Sequence, residues 1–235
     1  SAIILKKTKP FSGEAAPFVM ELPAYHIPSA KTVLMHTWER LWGFIKKAGT
    51  ILFLACIVMW VLSTFGFENG GFGAVEDVSN SLMALLGGAI AWIFAPLGFG
   101  SWQPVAASIS GFSAKEAIVT TMGVLANVDE SMVEETAVVG AAIQSWFPNV
   151  AAAFSFLVFN LLDSPCLAAI ATMAQQMQSR KWFWFAVLYQ NVFAYGVSLC
   201  VYQLGSVILG APVGLGTAAA ALILLFLLYM LFRRE

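Results

Sequence analysis

Long charge-free runs alternate with short polar stretches along this chain. From Ala48 to Phe67 it reads AGTILFLACIVMWVLSTFGF, without one Asp, Glu, Lys, Arg or His, which is the length an α-helix needs to cross a hydrocarbon layer of about 30 Å. A second such run, GLGTAAAALILLFLLYMLF, leads to Arg233 and Arg234, and a third extends from about Trp182 to Leu209 behind Arg180 and Lys181. Between the first and third lie three more apolar segments, at about 81–97, 104–127 and 137–177. They are punctuated. The first contains Gly87-Gly88 and ends at Pro96; the last is interrupted at Pro148 and again at Asp163-Ser164-Pro165. Broken helices at membrane depth are tolerated only where they are buried in protein or line a wet cavity. In secondary transporters such breaks carry the binding sites, so function is expected in this middle region.

The part before the first run has a different pattern. Residues 10–28, PFSGEAAPFVMELPAYHIP, hold four prolines and predict a surface loop. Ser29 is then a candidate N-cap. After it Val33, Leu34, Trp38, Leu41, Trp42 and Ile45 make one helical face, with Lys31, Glu39, Arg40, Lys46 and Lys47 mostly elsewhere. Such a helix, over 29–47, suits the lipid interface; packing on a neighbouring soluble domain gives the same periodicity. The first residues, SAIILKKTKP, start without Met and run from a short apolar stretch into Lys6, Lys7 and Lys9. Residues 1–28 are therefore read as the end of a preceding membrane helix and a cytoplasmic loop, and the chain as a fragment.

Basic flanks set an expected orientation. Lys46, Lys47, Arg180, Lys181, Arg233 and Arg234 belong on the cytoplasmic side, whereas ENGGFGAVEDVSN, which lacks Lys and Arg, and the loop 210–214 belong outside. The C-terminus is expected in the cytoplasm. The number of crossings between residue 75 and Arg180 must then be odd. Three spans satisfy this, and so does one span with two re-entrant hairpins.

Composition agrees with a bilayer as solvent: 60% of residues are hydrophobic, 11% are charged, and the mean hydropathy is +0.81. A net charge of −1 points to no nucleic-acid partner. Cys56, Cys166 and Cys200 form no CxxC pair, so neither a disulfide framework nor a zinc site is indicated. Cys56 and Cys200, in plain apolar runs, are read as packing residues. His26 and His36 have no metal-ligand spacing around them, and no GxxxxGK[ST], GxSxG or HExxH motif occurs.

One charged pair breaks the pattern. In GFSAKEAIVTTMGVL, residues 111–125, Lys115 is the single Lys or Arg between Ala48 and Ser179. A charge at the bilayer centre costs at least about 2.5 kcal/mol, and adjacent helical positions do not face each other, so Lys115 and Glu116 each need a separate partner. Asp163 is the other acid embedded in the apolar middle, and it is the nominated partner of Lys115, leaving Glu116 to face a polar path. The alternative is a Lys115 that snorkels to the interface and a Glu116 at a helix start. Ser164 and Pro165 fit the N-cap and first turn of a new helix, putting Cys166 within its first turn, a position where a thiol is favoured as a metal ligand. Asp163, Asn160, Met173 and Met177 can add oxygen or thioether atoms, a mixed set for a borderline first-row cation. Alternatively Cys166 is a small buried apolar residue beside a simple break. The metal candidates are thus Cys166, Asp163 and Glu116, and the polar path is assigned to Ser113, Lys115, Asn160, Ser164, Gln190 and Asn191.

Three stretches carry a resemblance: PFVMELPAYHIPSAKTVLMHTWERLWGFIKKAGT, then FAPLGFGSWQPVAASISGFSAKEAIVTTMGVL, then FNLLDSPCLAAIATMAQQMQSRKW. In that order they closely resemble the C-terminal membrane portion of the ferrous iron transport protein B family, FeoB. The resemblance implies an all-α, polytopic membrane helix bundle with broken or re-entrant gate-type helices: a gate-like domain over 48–209 and a C-terminal transmembrane helix with its tail over 210–235. It implies a multi-pass protein of the bacterial inner membrane that carries Fe2+ as its transported ion and is a transport segment rather than an enzyme. Its partners would be the lipid bilayer, an N-terminal GTPase domain and a first gate repeat, with a second copy of the chain a further candidate; no GTP site is expected in this stretch. Ala114-Lys115-Glu116 matches the family pattern, whereas Asp163-Ser164 stands where relatives commonly have a more hydrophobic pair. Two competing readings are a nucleoside-type carrier, which predicts a pocket of aromatic and amide groups, and a membrane scaffold for the soluble GTPase.

Overall fold

Ser29 opens the first helix as its spacing predicts, its hydroxyl accepting from the Thr32 amide at 3.3 Å. In the computed structural model, which describes Leu5 and residues 29–68, 71–75, 77–126, 140–141, 143–177 and 179–232, helix α1 then runs from Ala30 to Thr64 as one unbroken element of 35 residues. The sequence divides this stretch at Lys46-Lys47, into an interfacial helix and a span; the backbone continues through. Nothing at that point breaks it, since lysine and alanine are both good helix formers. The expected preceding helix, the loop 1–28 and the tail at Arg233-Arg234 lie outside the described residues, apart from Leu5.

The glycine-rich stretch expected as a loop folds into an antiparallel hairpin, β1 (Phe65–Glu68) with β2 (Gly71–Ala74), pairing Phe65 with Ala74 and Phe67 with Phe72. Gly66 lies against the chain entering the next helix, where a Cβ would stand 2.0 Å from the Asn80 carbonyl oxygen. Helix α2 (Leu82–Phe94) is capped by Ser81 and ends in a 3-10 turn, Ala95–Leu97. Helix α3 (Trp102–Gly111) follows, bent by 99° from α2. The turn between them depends on Gly98, whose φ of +90° and close approach to the Tyr202 ring exclude a side chain.

After a short break comes α4 (Ala117–Leu125), then α5 (Val150–Leu162), a second break, α6 (Leu167–Gln176), and two long helices, α7 (Arg180–Ile208) and α8 (Leu215–Phe232). Among the described residues four helical units are long and apolar enough to cross a membrane: α1, α5 with α6, α7 and α8, with the bent α2–α3 pair a fifth if it is counted as one. By itself α4 rises only about 14 Å, too short to span. The second and third middle segments are therefore interrupted, whereas the first, 81–97, is one helix with a terminal 3-10 turn and runs unbroken through Gly87-Gly88.

The core gathers where α5 packs on α7; α8 also packs on α7, and the turn at the α2–α3 bend contacts both α5 and α7. Leu97, Phe99 and Val105 are fully buried, and Phe99 meets Phe94, Phe156 and Phe159 with ring centroids 5.3–6.0 Å apart. Small residues bring α5 and α7 together: a Cβ on Gly205 would stand 2.8 Å from that of Ala151, and the Ser155 hydroxyl donates to the Ser198 carbonyl at 2.9 Å. That is how helices associate when lipid removes the hydrophobic drive between them. Leu54, Trp92, Leu188 and Phe226 point outward, as the lipid-facing sides of a bundle do.

Candidate functional site: a cleft between two broken helices

Two chain breaks meet at one place. The first is Phe112–Glu116, between α3 and α4; the second is Asp163–Cys166, between α5 and α6. A main-chain hydrogen bond joins them, Leu167 N–H donating to the Phe112 carbonyl at 2.9 Å. This satisfies one of the amides left open at the start of α6.

Lys115 crosses the same gap. Its Nζ donates to Asp163 Oδ1 at 2.5 Å and to the Asn160 main-chain carbonyl at 2.6 Å. The pairing nominated from the isolation of the two charges is therefore present, and Lys115 does not snorkel outward. Asp163 is buried, with its side chain 6% exposed, while that of Lys115 is 34% exposed and so reaches the cleft surface. The Asn160 carbonyl belongs to the last turn of α5, where a cation also complements the helix dipole.

Ser113, Lys115, Glu116, Asp163, Cys166 and Gln190 line a cleft of about 510 Å³ beside this bridge. Glu116 occupies the N-cap position of α4 but makes no side-chain cap bond, and it is exposed. Asn160 is buried; its Nδ2 donates to the Phe156 carbonyl at 2.8 Å, while its Oδ1 has no partner among the described residues. Gln190 and Asn191 come from α7, and only Gln190 reaches the cleft. The Asn191 amide instead donates to Ser164 Oγ, at 2.5 Å, and to the Val187 carbonyl, at 2.9 Å.

Three local expectations change. Ser164 does not cap α6: it is buried and accepts from Asn191, and Cys166 takes the N-cap position without a side-chain bond. A tertiary donor wins over the local amides. Met173 and Met177, on α6 and its C-cap, are not in the cleft lining. Cys166, Asp163 and Glu116 share the cleft, but among the described residues no three acids, cysteines or histidines are gathered to hold a metal ion. Asp163 is turned onto Lys115, so the three do not form a ready-made chelate.

One feature escaped the sequence reading. Behind the Phe112–Glu116 segment lies a second cavity, of about 310 Å³, lined by Cys56, Met59 and Trp60 of α1, by Met83, and by Ser110 and Thr121. Ser113 and Ala114 line both cavities. Cys56 is exposed rather than packed, unlike Cys200, which is buried and donates to the Ala220 carbonyl at 3.3 Å. The spacing Cys56, Met59, Trp60, Ser63 was a helical face available to be read.

A family model described as Gate, nucleoside recognition, matches residues 45–180, which hold both breaks and the cleft. The chain belongs to the Gate family. A second model, ferrous iron transport protein B C terminus, matches residues 1–40, so this Gate chain carries the C-terminal part of a FeoB-family sequence. It is 36% identical over 203 residues to the Fe(2+) transporter FeoB of Staphylococcus aureus (strain MSSA476), covering 86% of this chain and 29% of the relative. The FeoB of Methanocaldococcus jannaschii is 34% identical over 199 residues, with 81% and 28% covered. That of Shigella flexneri is 27% identical over 241 residues, with 83% and 31% covered. The Gate chain thus spans less than a third of the length of these curated relatives. No solved structure matches it significantly.

Proposed function

We propose that this chain is the membrane permease portion of a GTPase-linked ferrous iron uptake transporter, and that the cleft between its two broken helices is part of the Fe2+ path. The observation that carries the reading is the lining of one cleft by Glu116, Asp163 and Cys166, beside a half-buried ion pair that no apolar scaffold requires. Carboxylate oxygens and a thiol suit a borderline divalent cation. Their failure to close into a chelate also suits passage, since a conducting site must release what it binds. The resemblance to Fe(2+) transporters supplies the cargo. On this reading the part lies in a bacterial inner membrane with its C-terminus inside, and the basic flanks at Lys46-Lys47 and Arg180-Lys181 support that orientation. Driving force and nucleotide binding come from the GTPase domain of the intact protein, and the other gate repeat completes the path.

A nucleoside-type carrier fits less well. Its pocket needs aromatic and amide groups, whereas among the described residues the cleft lining has no aromatic ring and a single amide, Gln190. Fe2+ uptake by cells expressing the full-length transporter with Glu116→Gln and with Cys166→Ser decides between a path and a scaffold. Each substitution is expected to lower uptake by about tenfold, the loss of one charged or thiolate contact. Normal uptake in both, at equal protein level, would make this membrane part a scaffold.

A further inference from the structure

The ammonium of Lys115 is held by two oxygen acceptors. Its two acceptors, a carboxylate oxygen of Asp163 and the main-chain carbonyl of Asn160, are the oxygen types that hard and borderline cations take from proteins. An ion at Asp163 and the ammonium in its present seat would be like charges a few ångströms apart, a repulsion that a half-buried site screens only in part. The two therefore exclude one another.

Lys115 also belongs to the short segment that separates two cavities. Ser113 and Ala114, immediately before it, line the acidic cleft on one side and the Cys56–Met59–Met83 cavity on the other. Two of the bonds that tie this segment to the second break, those to Asp163 and to the Asn160 carbonyl, end on the same ammonium. Moving that ammonium leaves the Leu167–Phe112 hydrogen bond to hold the segment there.

We infer that Lys115 is a tethered counter-cation: it occupies the Asp163 site when no ion is present, a divalent cation displaces it, and the displacement frees the Phe112–Glu116 segment to join the two cavities. This rests on the reading of the cleft as a cation path and adds the device that closes it. The second cavity, with one thiol and two thioethers among its lining residues, is then the next station and favours a sulfur-tolerant ion over Mg2+ or Ca2+.

The test uses Co2+ and the purified full-length transporter. Equilibrium dialysis should show Lys115→Gln binding Co2+ about tenfold or more tightly than the unmodified protein. Lys115→Arg should keep the weaker affinity, and Asp163→Asn should abolish the gain when combined with Lys115→Gln. Unmodified protein gives a second readout that needs no variant to fold. Acetylation of Lys115, followed by mass spectrometry, should become several-fold faster at saturating Co2+, because the displaced amine loses its acceptors. Co2+ binding that depends on Asp163 with Lys115 reactivity unchanged overturns the displacement and leaves the cation path standing. Co2+ binding indifferent to both residues overturns the displacement together with Asp163 as a site, while normal Fe2+ uptake by the Glu116 and Cys166 variants is what removes the path itself.

Discussion

At the scale of single residues, the decisive fact is that one lysine and one aspartate, 48 positions apart, meet across two helix breaks. Burying an ion pair is weak evidence for stability, because desolvation offsets most of the attraction, but removing one partner leaves the other uncompensated. Lys115→Ala alone is expected to cost about 3 kcal/mol, and Asp163→Ala somewhat less, since the freed lysine is one-third exposed and can turn to water. The double variant should be more stable than the two costs added together predict, by about 1–3 kcal/mol. Reversible unfolding of the purified transporter in mixed detergent micelles measures the cycle; strict additivity would mean that the bridge contributes no coupling. The pair was legible in the sequence because each charge is isolated in a long apolar stretch. Ser164 was not, because its partner, Asn191, comes from a helix that local spacing does not bring near.

At the scale of elements, the breaks follow from chemistry that the sequence displays. Pro148 and the Asp163-Ser164-Pro165 run mark real interruptions, whereas α2 runs unbroken through Gly87-Gly88 and the chain bends only after Pro96, at Gly98. Two features were hidden. The junction at Lys46-Lys47 looks like a boundary in charge but not in backbone preference, so α1 continues through it. In the hairpin of FGFE with GFGA, Phe65–Phe67 reads as the end of the first span and the rest as a glycine-rich loop; Gly66 lies under Asn80, a contact between segments. Gly98 offers a sharp test of the α2–α3 bend. A Cβ there would sit 2.4 Å from the Tyr202 ring, on a backbone with φ of +90°, so Gly98→Ala should destabilise by about 2–4 kcal/mol, combining backbone strain with overpacking. Adding Tyr202→Ala should relieve only the crowding. If thermal unfolding of Gly98→Ala matches the unmodified protein, the bend does not require the left-handed turn.

At the scale of the whole molecule, the arrangement separates rigid from interrupted parts. Helices α7 and α8 are long and continuous, and α7 packs closely on α5 through Ala151, Ser155 and Gly205, which makes this side the frame. The bent pair α2–α3, short α4 and the break before α6 form the side where chain ends and charges meet. A frame and an interrupted partner are what a gated path needs, because the moving part must shift without unpacking the core. The charge flanks predict a membrane orientation for this frame, and labelling tests it directly. In a full-length transporter without other accessible cysteines, Asp77→Cys and Pro212→Cys should react with a membrane-impermeant maleimide added outside intact cells. Ser179→Cys, next to Arg180 and Lys181, should react only after the cells are opened. That pattern requires α7 to cross once between residues 179 and 212, and an odd number of crossings between 77 and 179. With α5 and α6 forming one unit of spanning length, the odd count is met by that unit alone if the α2–α3 pair and α4 return to the side they left. Labelling of Ser179→Cys from outside would break the parity and, with it, the assignment of the acidic cleft to a path between the two faces of the membrane.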